Sequence, residues 1–209
     1  MCPAFALAQE KPRIEALYDI TLDIDDDGKT DRAVLVLVGP GRTDFGPLTA
    51  ERYGLSEGES VDLYLYLDAG EETLDLDRKP NFVRKAIVDT EETSWVQPLE
   101  RNGGGSLLVT SVYGWGARQS WGEILTIAYR KGEFLVAGYS RGWEWGNEVR
   151  KPNGDWDVET TIGGCDINFL SGKGVVSDEL DESKPIKGKF TPVKLADWST
   201  ANRPEACEF

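Results

Sequence analysis

The chain contains no histidine among its 209 residues, which removes Ser-His and Cys-His catalysis and imidazole-ligated zinc at a stroke. Cysteine is nearly absent too, at Cys2, Cys165 and Cys207. Basic residues are outnumbered: 23 Lys and Arg face 37 Asp and Glu, for a formal charge of −14. That balance argues against nucleic acid and anionic membranes as partners. No apolar run approaches the about 18 residues that a membrane-spanning helix needs, so no span is expected. No repeat of fixed period suggests propeller blades, and outside roughly the last 20 residues no three-turn amphipathic helix is legible.

What is present reads as strands and turns. Leu17–Leu22, Arg32–Val38 and Val61–Leu67 are apolar or alternating, and Asn81–Val88 is a shorter candidate. A loop rich in Gly and Pro fills 39–58, with a helical turn expected near Thr49–Tyr53. Arg101-Asn102-Gly103-Gly104-Gly105 is a hairpin signal, because Asn-Gly accepts positive φ. It opens a meander of Ser106–Tyr113, Gly122–Arg130 and Glu133–Tyr139, the last two joined at Lys131-Gly132. A further hairpin, Asn147–Lys151 with Asp155–Ile162, turns at Pro152-Asn153-Gly154. Cys165–Leu170 turns through Ser171–Gly174 into Val175-Val176, and a last strand is expected near Lys187–Phe190. The expected fold is mainly β, an antiparallel meander of hairpins forming a sandwich- or barrel-like single domain over 9–209.

The densest chemistry is Asp23-Ile24-Asp25-Asp26-Asp27-Gly28-Lys29-Thr30-Asp31. Asp23, Asp25, Asp27 and Asp31 stand at loop positions 1, 3, 5 and 9, the Lys29 carbonyl at 7, and Gly28 can make the sharp turn, a donor set suited to Ca²⁺. Position 12 is Val34 where a helix-loop-helix site would carry a bidentate Glu, so this is not an EF-hand. A structural calcium ion is the expected cofactor, and a solvated acidic turn is the alternative.

Residues 1–8, ending in Ala6-Leu7-Ala8, resemble the tail of a secretory signal with its cleavage site. The address expected is periplasmic or secreted. Once that segment leaves, Cys165 and Cys207 remain and are expected to pair in an oxidising compartment. The bridge would close a loop of roughly 40 residues, worth about 3 to 4 kcal/mol in the chain-entropy model.

Tyr113, Trp115, Trp121, Trp143, Trp145 and Trp156 cluster among glycines. Flat aromatic faces beside polar loops suit glycan or peptidoglycan binding, and the alternative is that they fill a β core. In Trp143-Glu144-Trp145 a strand would set both rings on one face. A glycosidase-like carboxylate pair drawn from Glu123, Glu144, Asp155 and Asp157 is the only catalytic option, and 37 carboxylates make such coincidences common.

The acidic loop, Leu65-Tyr66-Leu67, Asn102-Gly103, Tyr113-Gly114-Trp115-Gly116, Tyr129–Phe134 and Asn168–Lys173, in that order, resemble uncharacterised exported bacterial β-rich proteins with an FG-GAP- or VCBS-like calcium loop. The resemblance implies metal binding at the loop aspartates and no enzymatic activity. The expected function is a non-enzymatic, calcium-stabilised binding or interaction module acting as a monomer, with a protein or glycan partner. The alternative partner is a basic protein that the acidic chain inhibits.

Overall fold

The fold is that of a computed structural model, described for residues 12–39, 55, 58–70, 73–89, 92–114, 119–177 and 183–208. The expected helical turn at Thr49–Tyr53, the leader-like segment and Trp115 lie outside these residues.

The first sheet has four antiparallel strands, β1 (Arg13–Leu22), β2 (Asp31–Gly39), β3 (Ser60–Tyr66) and β4 (Phe82–Arg84), in chain order. β2 is apolar at every position from Ala33 to Leu37 because both its faces are covered. Ala33 and Leu35 enter the main core, while Val34 and Val36 pack with Tyr66 under Leu74 and Leu76.

The second sheet contains β5 (Trp95–Val96), β6 (Glu100–Arg101), β7 (Leu107–Tyr113), β8 (Gln119–Arg130), β9 (Glu133–Arg150), β10 (Trp156–Asn168), β11 (Lys173–Ser177), β12 (Ser183–Lys187) and β13 (Val193–Lys194). Its path is β12-β11-β10-β9-β8-β7-β5, with β6 paired to β7 and β13 to β9. All its described pairs are antiparallel. One buried cluster joins Leu35, Leu63 and Leu65 of the first sheet to Leu107, Ile127, Tyr139 and Ile167 of the second. The architecture is an open sandwich, and the barrel alternative falls because neither sheet closes on itself among the described residues.

Two expected strands, Glu133–Tyr139 and Asn147–Lys151, are one 18-residue strand, β9. The glycines that look like breaks, Gly138, Gly142 and Gly146, all fall on even positions and so share one face. Gly138 suits a close approach there, since a Cβ would lie a tight 3.2 Å from the Ile167 carbonyl and 3.3 Å from Thr126. The opposite face carries Tyr139, Arg141, Trp143 and Trp145. Beyond Gln119, the end of β8, β9 and β10 continue as a two-stranded arm to the turn at Gly154, where φ is 92°.

After β13 the chain forms three 3₁₀ turns, Leu195–Asp197, Thr200–Asn202 and Glu205–Cys207, rather than a helix. The expected strand at Lys187–Phe190 lies earlier, as β12, and Asn81–Val88 shortens to β4. The tail buries Leu195, Trp198 and Cys207 against the large sheet. Cys207 is disulfide-bonded to Cys165 of β10, with Cα atoms 5.4 Å apart across a separation of 42 residues. A Cys165→Ser/Cys207→Ser variant is expected to lose about 2–4 kcal/mol of unfolding free energy in urea, and the unfolded, unreduced wild type to show no thiol at these two positions. Two reactive thiols there would contradict the pairing.

Candidate functional site

The acidic loop joins β1 to β2 and is pinned by its buried neighbours Leu22 and Ile24. Asp26 (φ 59°) and Gly28 (φ 81°) reverse the chain in left-handed conformations. The turn folds backbone amides onto carboxylates: Asp27 N–H donates to Asp23 Oδ1 (3.1 Å), Gly28 N–H to Asp23 Oδ2 (3.0 Å) and Lys29 N–H to Asp27 Oδ1 (2.9 Å). One oxygen each from Asp23, Asp25 and Asp27 lies within 4.8 Å of the others. Oxygens on opposite sides of a calcium ion stand about 5 Å apart, given bonds of about 2.3–2.6 Å, so the three can share one ion.

The other two expected ligands have further tasks. Lys29, expected through its carbonyl, places its ammonium 2.9 Å from Asp27 Oδ2 and 2.6 Å from Asp68 Oδ1. The hydrogen bond from Lys29 holds the Asp27 carboxyl below its usual range. Asp31 stands outside the three-carboxylate group. It is 2 % exposed, and its two oxygens accept from Ile24 N–H (2.9 Å) and Asp68 N–H (3.0 Å), clamping the loop to the end of β3. Burial raises its carboxyl above the ordinary value, against the pull of those two bonds.

The aromatic candidates divide. Pairing sets Tyr113 beside Trp121, Trp121 beside Trp143 and Gln119 beside Trp145, so four expected rings share the inner face of β7, β8 and β9. Tyr113 and Trp121 stack with centroids 4.0 Å apart. The Arg141 guanidinium lies 5.7 Å from the centre of the Trp121 ring. Trp143 lies over Gly163, where a Cβ would overlap its indole. Trp145 is 47 % exposed. Trp121, Trp143 and Trp145, with Glu92, Gln119 and Arg141, line an open depression of about 570 Å³. The Trp121 Nε1–H is buried and has no acceptor among the described residues. Trp156 is not part of this group: it is 69 % exposed near the tip of the arm and faces the other side of the sheet.

Next to the aromatic row on the same face lies an ionic network that the sequence did not announce. Glu123 Oε1 accepts from Tyr139 Oη (2.8 Å), and Arg203 reaches Oε1 at 2.9 Å and Oε2 at 3.0 Å. Arg203 also holds Glu92 at 2.9 Å, and Arg141 Nε lies 3.6 Å from Glu123. Burial, reinforced by the Glu123 charge, pushes the Tyr139 phenol well above its normal range. Glu123 and Arg141 are direct cross-strand neighbours, a relation readable once the register is known. Glu92 and Arg203 arrive from distant loops and leave no local signal.

Of the carboxylates weighed for glycoside hydrolysis, Glu123 is committed to these partners. Glu144 is exposed, and Asp155 and Asp157 sit near the arm's tip, Asp157 paired with Lys151 at 2.7 Å.

No protein-family model, no curated protein and no solved structure matches the chain, so the geometry carries the functional reading. Two stability outcomes follow from this geometry. Arg203→Met, which leaves the part-buried Glu123 carboxylate with fewer compensating donors, is expected to cost about 1.5–3 kcal/mol in urea unfolding. Asp31→Ala, which strands two backbone N–H groups, is expected to cost about 1–3 kcal/mol, with or without calcium. A loss below a few tenths of a kcal/mol in either variant would contradict the corresponding assignment.

Proposed function

We propose that this chain is a non-enzymatic, exported binding module that holds a saccharide on the Tyr113–Trp121–Trp143–Trp145 face and is stabilised by calcium at Asp23, Asp25 and Asp27. The aromatic row carries the reading. Trp145 and Trp143 offer flat apolar surface to the faces of a sugar ring, while Glu92, Gln119 and Arg141 can bond its hydroxyls. Every histidine-dependent mechanism is closed to the chain, and Glu123 is occupied by Arg203 and Tyr139. The cysteine pair suits an oxidising compartment.

Calcium would act as a staple at the first hairpin, with Asp23, Asp25 and Asp27 as its carboxylate ligands, because the loop runs directly into the buried strand β2. At about 100 times its dissociation constant the ion would add about 2.7 kcal/mol, or roughly 5 to 10 °C for a chain of this size. A chelator is expected to lower the thermal midpoint by that amount, and Asp23→Ala or Asp27→Ala to remove the response. An unchanged midpoint would mean that the loop is merely acidic.

Binding is read by titrating tryptophan fluorescence with peptidoglycan fragments and common polysaccharides. A saturable change is expected with at least one of them, weakened about tenfold in Trp145→Ala, as the loss of one stacked ring implies. A flat response to the whole panel would refute the saccharide reading.

A further inference from the structure

β10 runs well past its neighbour β11, which pairs with it only from Gly164 onward. From Trp156 to Gly163 it is bonded to β9 on one side and, among the described residues, to no strand on the other. The register fixes which backbone groups face that open side. Lys151 N–H donates to the Asp155 carbonyl and Phe169 N–H to the Ala137 carbonyl, and the β9–β10 pairing between these points has no shift. Odd-numbered residues of β10 therefore turn their N–H and C=O groups to β9, and Trp156, Val158, Thr160 and Ile162 turn theirs outward. The Val158 N–H is met there by the carboxylate of its neighbour, Asp157 Oδ1, at 3.0 Å. The rest of this edge has no strand to bond among the described residues.

The side chains along the edge alternate in kind. Trp156, Val158 and Ile162 are exposed on the outer face, away from the aromatic row. Asp157 and Glu159 point to the opposite face. Asp157 is held by Lys151 at 2.7 Å, whereas Glu159 is exposed and forms no ion pair among the described residues. Between positions 144 and 159 the arm carries five acidic and two basic residues.

An open strand edge is a template for another strand, and these charges decide which strand it takes. A second copy fits badly. The two-fold antiparallel register that matches Trp156 with Ile162 sets Glu159 against Glu159 of the other copy. Shifted by one pair in one direction, Asp157 meets Glu159; shifted in the other, Trp156 needs the outward edge of Gly164, which Ser177 already holds. Like charges directly opposite one another destabilise a strand pair, and opposite charges stabilise it.

We infer that the free edge of β10 captures an extended segment of a basic protein by antiparallel strand addition, with apolar side chains beside Trp156 and Val158 and Lys or Arg opposite Asp157 and Glu159. Main-chain bonds to the outward groups hold the segment, and the alternation of apolar and basic residues selects it. The site is separate from the aromatic depression and does not depend on saccharide binding.

The test follows backbone amide signals and amide hydrogen exchange in the full-length, disulfide-intact protein. The probes are a capped six-residue peptide alternating valine and lysine, a peptide of the same composition with its three valines and three lysines in blocks, and one alternating valine and glutamate. The alternating valine–lysine peptide is expected to shift the Val158 and Thr160 amides saturably and to slow exchange at Thr160, with exchange at Asp157 and Glu159, whose amides face β9, unchanged. Neither of the other peptides is expected to do so. Thr160→Pro removes an outward N–H and no bond to β9, and is expected to abolish the response read at Val158. Glu159→Lys, which leaves the backbone intact, is expected to weaken binding about fivefold. Four results would each overturn the proposal: no saturable response at these amides, equal binding of the block or acidic peptide, unweakened binding in Glu159→Lys or in folded Thr160→Pro, or the same slowed exchange on concentrating the protein alone, which would give the edge to a second copy.

Discussion

The bond between Cys165 and Cys207 is the constraint on which the inner face of the large sheet depends. Cys165 is the cross-strand neighbour of Arg141, Arg141 of Glu123, and Glu123 of Ser111, so the disulfide stands in the same transverse row as these part-buried charges. The tethered tail carries Trp198 onto the Tyr139 ring, with centroids 5.8 Å apart, and Arg203 onto Glu123. Without the tether the tail keeps the burial of Leu195 and Trp198 and the Arg203 ion pairs, but the main counter-charge of Glu123 would sit on a less constrained strap. The tether and the ion pair are therefore one coupled unit, and the costs of removing each should not add.

The sandwich is covered unevenly. Where the four-stranded sheet lies over it, the inner face of the large sheet is aliphatic, at Leu107, Val109, Ile127 and Val136. Farther along the same strands the row becomes Glu123 and Arg141, and then Tyr113, Trp121 and Trp143. One continuous face thus passes from core to charge to exposed aromatic surface. Along that gradient Tyr113, Trp121 and Trp143 are part-buried and Trp145, at its end, is 47 % exposed.

How much of this was legible in the sequence follows from the range of the interactions. Local chemistry was readable. The Asn102 side chain caps its own turn by accepting from Gly104 and Ser106 N–H, and Lys131 and Gly132 adopt the paired positive φ values of 54° and 82° that a two-residue hairpin requires. The apolar run of β2 announced a buried strand, and with only two cysteines beyond Cys2 any intrachain pairing of the two was fixed. What depended on register or on distant segments was hidden. The glycines of β9 imitate breaks until their common face is known, and Arg203 meets Glu123 across 80 residues. Asp31 fits a ligand pattern by spacing, and the sequence gives no sign that its carboxylate also accepts from the Ile24 and Asp68 amides. The four inner rings were identifiable as candidates, but only pairing divides them from Trp156.

The most direct measurement of the central claim is saturation-transfer NMR on the disulfide-intact protein with saccharides in excess, irradiating the indole and phenol ring protons. Transfer is expected to the ring protons on one face of a bound sugar, strongest where that face lies on Trp143 and Trp145. No transfer to any saccharide, with the aromatic row folded and accessible, would contradict it.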